Sequence, residues 1–289
     1  MKKKSLLALI LCFVLCLSGV SLNVTHASNN NVLKKAKLER VSIKSDLLKK
    51  KMKALVYLPK GYGDGQQYPV LYFIHGFGND ENHLTAVGLN RKATALIEAD
   101  RINPLIIVAP QMDNSWGLNS ATEYKYEVHN SEMFHYGMYE DYFLKEVVPY
   151  IDSKYNTIND RNGRYIGGSS MGGYIALYYG LRHSELFSKI GGHMPSVKIG
   201  KRFSWFVFPS EELRRERDLT VIADSKDLSN LNIYLDCGEG DSLAPSVNNF
   251  YLKLLIKGVN ASFDSSEGIH SSAYIKANTE KYLLFYAGK

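Results

Sequence analysis

Apolar residues along this chain fall into two rhythms. Short continuous runs occur at Val70–Ile74 and 105–109, the second ended by Pro110, and each reads as a strand buried on both faces. Residues 38–43 and 52–58 alternate or run apolar around a lysine-rich turn, which predicts an opening antiparallel pair. Helical spacing marks 82–99, 139–155, the stretch from Ser170 to about 181, 246–257 and 272–286. Further strands are expected at 164–167, 187–190, 231–235 and 261–263. Two segments resist either rhythm. Residues 111–138 are irregular and rich in Trp, Tyr, Asn and His, and 197–229 carries Phe203, Trp205, Phe206 and Phe208 before a charged run. Strands alternating with helices predict an α/β fold with a mostly parallel central sheet and helices on both faces. No repeat or linker divides 37–289, so a single domain is expected, with 197–229 as a candidate cap insertion.

The first 27 residues have a different character. Lys2, Lys3 and Lys4 precede an apolar run from Leu6 to Val20, and Thr25-His26-Ala27 places small residues before Ser28. This is the layout of a secretory signal cut after Ala27, followed by a flexible leader over 28–36. The run is short for a transmembrane span, so no stable membrane insertion is expected after cleavage. The expected location is extracellular, free or associated with the cell wall. Loss of Lys2–Lys4 takes the formal net charge from +6 to +3, and that scattered excess is too small for a nucleic-acid footprint. Cys12 and Cys16 fall within the signal, leaving Cys237 without a partner for an intrachain disulfide. The eight histidines are dispersed and no glycine-rich phosphate loop appears. Neither a metal nor a cofactor is expected.

The chemistry gathers around Gly167-Gly168-Ser169-Ser170-Met171-Gly172-Gly173, which contains G-x-S-x-G between an apolar strand and a helical stretch. That pattern turns a strand sharply into a helix with the serine at the apex, and glycines on either side avoid clashes. A serine hydroxyl needs a base, and in such a fold the chain order is serine, acid, histidine. Beyond His193 the sequence has one histidine, His270, in a loop before the last helix. The acid is expected after the strand that starts at 231. Asp236 belongs on that strand, while Glu239 and Asp241 lie in the loop beyond. Asp241 is favoured because Gly238 and Gly240 let the chain bend back before it, with Glu239 as its rival. The amide after the serine, on Met171, and that of Phe77 in His75-Gly76-Phe77-Gly78 are the expected oxyanion donors.

Together, residues 68–78, the elbow, the Asp236–Asp241 loop and His270 resemble one esterase family of the α/β-hydrolase superfamily. It includes esterase D (S-formylglutathione hydrolase), tributyrin, feruloyl and acetylxylan esterases, and mycolyltransferases. The resemblance covers about 38–286. It implies Ser170 as nucleophile, Asp241 as acid, His270 as base, and Phe77 and Met171 as oxyanion donors. Tyr139-Glu140-Asp141-Tyr142-Phe143 also resembles the helix that precedes the elbow in that family, whereas 197–229 is less typical of it.

Trp116, His129, Tyr136, His193 and Trp205 fall near loops at the expected C-terminal edge of the sheet, where ligands of open α/β sheets bind. Trp116, His193 and Trp205 are the candidate substrate contacts. The expectation is a secreted serine carboxylesterase acting on a small or polysaccharide-linked ester, of short acyl or feruloyl and acetyl-sugar type. An acyltransferase using the same acyl-enzyme, or a binding protein on the same fold, remains open at this level.

Overall fold

The computed structural model describes residues 32–289, and the expected signal, 1–27, lies outside them. β1 (Lys37–Ser45) and β2 (Lys50–Leu58) form the antiparallel pair expected from the pattern, and β3 (Val70–Ile74) and β4 (Ile106–Pro110) are entirely buried strands. β5 (Lys125–His129) and β6 (Glu132–Tyr136) make a separate hairpin. β7 (Arg164–Ser169), β8 (Lys189–His193), β9 (Asn232–Gly238) and β10 (Asn260–Ser266) complete an eight-stranded sheet in the order β1-β2-β4-β3-β7-β8-β9-β10. Both neighbours of β2 pair with it antiparallel and every other pairing is parallel. All strands but β2 therefore point the same way, and their C-terminal ends share one edge.

The helices are α1 (His83–Ala86), α2 (Leu89–Glu98), α3 (Tyr139–Asp141), α4 (Val148–Lys154) and α5 (Met171–Arg182), followed by α6 (Lys201–Val207), α7 (Glu211–Arg217), α8 (Leu219–Ser225), α9 (Ala244–Ile256) and α10 (Ser272–Ala287). Paired glycines show how two layers of them cover the sheet. Successive strand residues point to opposite faces. On β7, a Cβ at Gly167 would strike the Tyr286 hydroxyl of α10, and one at Gly168 would meet the Gly172 backbone of α5, at 2.6 Å. On β8, Gly191 likewise faces Tyr286, and Gly192 faces Leu177 of α5. Small residues at these positions let both helices sit close against the strand that carries the elbow.

Three elements differ from expectation, each for a local reason. The 82–99 helix is broken at Gly88, whose φ of 72° divides α1 from α2. The 139–155 helix runs from α3 to α4 through a π-helical turn over Tyr142–Val147. Within the irregular 111–138 stretch lies the β5–β6 hairpin. Its side chains are largely exposed apart from buried Phe134, so it lacks the apolar face that marks a strand in sequence. Asn130 and Ser131 turn it with φ of 49° and 64°, the pair of positive values that a tight hairpin requires. The 197–229 segment folds as α6, α7 and α8. Buried tyrosines tie these outer parts to α5: Tyr174 Oη donates to Arg217 O (2.8 Å) and Tyr179 Oη to Gly117 O (2.6 Å).

Candidate active site

β7 stops at Ser169 and α5 begins at Met171, so Ser170 alone makes the turn, with φ 56° and ψ −114°. A non-glycine residue there carries strain that surrounding contacts must hold. They do so from both sides, since Ser170 N–H donates to His193 O (3.0 Å) and Ser170 O accepts from Ser196 N–H (3.1 Å). The turn lifts the hydroxyl out at the C-terminal edge of the sheet and places it at the start of a twelve-residue helix.

Ser170 Oγ lies 2.9 Å from His270 Nε2, and His270 Nδ1 lies 2.6 Å from Asp241 Oδ2. His270 stands immediately before Ser271, whose hydroxyl caps α10 by accepting from Tyr274 N–H, so the cap fixes the chain that presents the imidazole. The Asp241 carboxylate is wholly buried, while His270 is about one third exposed at 36%. Burial pushes Asp241 up, but the His270 hydrogen bond and the Leu243 amide, at 2.9 Å from Oδ1, outweigh it and hold the carboxyl below its ordinary range. Next to it the Cys237 thiol is pushed up by burial and by the Asp241 charge, which keeps it an inert thiol.

Gly238 and Gly240 flank the expected bend before the acid, which Asp241 N–H closes by donating to Gly238 O (3.0 Å). The turn needs a positive φ at neither glycine, and both also supply room. A Cβ at Gly238 would stand 2.5 Å from Gly268 O, and Gly240 N–H donates to that same carbonyl at 2.9 Å. The loop bearing Asp241 thus lies backbone to backbone on the loop bearing His270. Glu239, the rival acid, is exposed.

Phe77 and Met171 both line the cavity that contains Ser170, and neither amide N–H has a hydrogen-bond acceptor among the described residues. The loop before Phe77 is pinned from behind. His75 Nδ1–H donates to Gly76 O (2.9 Å), and His75 Nε2 accepts from Met112 N–H (3.0 Å). Burial lowers the pKa of His75, which suits the neutral ring those two bonds require. An imidazole bridging a hydroxyl and a buried carboxylate, beside two free amides, can deprotonate the hydroxyl and hold a developing oxyanion.

The cavity has a volume of about 540 Å³. Trp116 is in its wall, nearly fully buried, with its ring 5.0 Å from that of Phe203. The structure does not bring His193 there. That side chain is fully buried, with Nδ1 3.0 Å from Asp236 Oδ1 and its ring stacked on Tyr282. Trp205 also lies outside the cavity wall, 4.3 Å from His129, with its indole N–H donated to Arg202 O. His129 and Tyr136 belong to the hairpin. Sequence reasoning did not single out Phe203, whose ring is 5.1 Å from Phe77 and which reaches the cavity from α6. Its aromatic-rich segment was visible, but which ring turns inward depends on a helix only seven residues long.

An α/β sheet with a serine at a strained strand-to-helix turn, facing a histidine and a buried carboxylate, defines a hydrolase-type site. The family model described as "Putative esterase" matches residues 45–278, and the chain belongs to that esterase family. It is 30% identical over 155 residues to "Esterase MT1326" of Mycobacterium tuberculosis (strain CDC 1551 / Oshkosh), covering 53% of this chain and 31% of that protein. It is 32% identical over 161 residues to an "Endo-1,4-beta-xylanase/feruloyl esterase" of Xylanibacter ruminicola, covering 53% of this chain and 21% of that protein. The chain therefore matches less than a third of the length of either relative. A solved ferulic acid esterase superposes with a TM-score of 0.75 at 25% identity, covering 88% of this chain and 98% of that one. No helix among the described residues is long and apolar enough to cross a membrane.

Proposed function

We propose that this protein is a secreted serine carboxylesterase that works through an acyl-enzyme. The observation that carries the reading is the continuous hydrogen-bonded line from Ser170 Oγ through His270 to buried Asp241. His270 Nε2 takes the Ser170 proton as Oγ attacks the ester carbonyl carbon. The oxyanion so formed is held by the amides of Phe77 and Met171. Collapse expels the alcohol, which leaves with the proton from His270. Water then enters, gives its proton to the same nitrogen and attacks the acyl carbon, and Ser170 departs with the proton restored. Asp241 keeps Nδ1 protonated throughout and stabilises the imidazolium in each half-reaction.

The substrate is a short acyl ester, or an acetyl or feruloyl ester of a sugar. In favour stand a cavity within the usual small-ligand range, its aromatic wall of Phe77, Trp116 and Phe203, and the feruloyl esterase named among the relatives. Export rests on the 1–27 segment, and an exported protein starting at Ser28 is the expected product. The test is hydrolysis of p-nitrophenyl acetate, butyrate and octanoate, methyl ferulate and acetylated xylan, with Ser170→Ala as control. Turnover that vanishes in the control supports the reading. Activity retained by Ser170→Ala overturns it, and a new ester formed when a sugar acceptor is added redirects it to acyl transfer.

A further inference from the structure

Behind the reacting atoms lies a second histidine–aspartate pair, formed by His193 at the end of β8 and Asp236 on β9. Both side chains are fully buried and in register across the two parallel strands. His193 Nδ1 is 3.0 Å from Asp236 Oδ1, and the other carboxylate oxygen accepts from Tyr282 Oη at 2.8 Å. His193 Nε2 is 3.2 Å from the hydroxyl of Tyr286, one turn further along α10. Such a network is costly to bury unless every member is satisfied, and here both imidazole nitrogens and both carboxylate oxygens have partners.

Its position is more telling than its composition. The backbone of His193 accepts the Ser170 amide, at 3.0 Å. The next residue, Met194, has a φ of 40°, donates its own amide to Asp236 O (2.8 Å), and lines the cavity. Asp236 stands on the strand that leads into the Asp241 loop. Tyr282 and Tyr286 stand on the helix that begins just after His270. Glycines at 167 and 191 vacate the space that the Tyr286 hydroxyl fills, so β7 and β8 are both shaped to admit it. One buried network therefore touches the three segments that carry the serine, the acid and the base.

We infer that His193 and Asp236, with Tyr282, are positioning residues: a buried clamp that holds the strained serine turn in register with the acid and base loops. None of them reaches the substrate. The clamp acts through the His193 carbonyl on Ser170 and through β9 on Asp241. This inference rests on the triad proposed above, and its failure is separable from failure of that reading.

The test compares His193→Leu, His193→Asn and Tyr282→Phe in the full chain. In each, kcat and KM for p-nitrophenyl acetate are normalised to active sites titrated with an organophosphonate, alongside the thermal midpoint and Ser170→Ala. Leucine fills similar space with no donor, whereas an asparagine amide restores one near the Nδ1 position. Leucine is expected to lower kcat per titrated site by about tenfold or more with KM within about twofold, because small misplacements of reacting groups are costly. Asparagine is expected to recover most of that loss, and Tyr282→Phe to lower kcat about fivefold through one lost hydrogen bond. A role in packing alone would lower the thermal midpoint and leave kcat per titrated site unchanged. Wild-type kcat in folded His193→Leu, or no advantage of asparagine over leucine, overturns the inference. If the leucine variant does not fold, wild-type kcat in Tyr282→Phe overturns it. Activity surviving in Ser170→Ala would instead mark failure of the triad itself.

Discussion

Gly172, in the first turn of α5, lies so close to Ile74 at the end of β3 that a Cβ on it would stand 2.2 Å from the Ile74 carbonyl oxygen. The same atom would be 2.6 Å from His75 O, so no side-chain rotation relieves the clash and backbone must move. That contact sets the distance between the two segments bearing Met171 and Phe77. Gly172→Ala is expected to push α5 away from β3, costing about 1–3 kcal/mol in urea denaturation, as overpacking of a filled core does. Activity should fall by about a hundredfold, out of proportion to that loss, because the two amides separate. A variant with wild-type kcat/KM would show that the spacing is not critical.

Asp241→Asn tests the carboxylate rather than its place in the chain. The asparagine oxygen still accepts from the Leu243 amide, but its amide group no longer enforces a proton on His270 Nδ1. The wrong tautomer leaves Nε2 protonated and unable to accept from Ser170. Turnover should drop by about 10⁴ with KM little changed. Steady-state kinetics on p-nitrophenyl acetate decides it, and a loss below about tenfold would point to Glu239 or another acid.

Stability should fall in two stages as the solution is acidified. His83 Nε2 lies 3.0 Å from Ser169 Oγ in a buried site, its Nδ1 has no partner among the described residues, and burial with the nearby His75 brings its pKa down to about 4. Between pH 6.5 and 4 the unfolded chain therefore binds a proton that the folded one refuses, and stability rises with pH across that window. His75, also lowered by burial, adds to the same slope. Asp241 and Asp113 are held below the ordinary carboxylate range, so their contribution is present above pH 3.8 and is lost as pH falls below that value. His83→Gln should reduce the loss between pH 7 and 4.5 by on the order of 2 kcal/mol. Urea titrations at the two pH values measure it, and parallel losses in both proteins would remove His83 from the account.

What could be read in the sequence follows the range of the interactions involved. The turn at Ser170 is a local rule about strand, glycine and helix, so Gly168 and Gly172 announced it. β3 and β4 were legible because a strand buried on both faces leaves a continuous apolar run. His193 was not, since a histidine at a strand end looks the same whether it meets substrate or Asp236, and only strand order decides. Nor could Gly167 and Gly191 be seen to make room for Tyr286, a residue on a helix far along the chain. Gly238 and Gly240 drew attention for the bend before Asp241, which is there, but their close approach to Gly268 could not be seen.

Phe203 offers the sharpest test of what the cavity recognises. Its ring lies 5.1 Å from Phe77 and 5.0 Å from Trp116, and α6 is held toward the hairpin by an ion pair between Arg202 and Glu132. The ring is only half-buried, so it presents a free surface to whatever enters. If the acyl group is aromatic, Phe203→Ala removes an aromatic contact worth about 1 kcal/mol beyond its area, and KM for methyl ferulate should rise about tenfold. For methyl butyrate, too small to use that surface, KM should change less than about twofold. Measuring both esters on one preparation cancels any loss of active protein. Equal rises in KM would mean that Phe203 shapes the entrance for every ester alike. A fall in kcat with both would mean that its chief partner is Phe77 and that the ring supports the oxyanion loop.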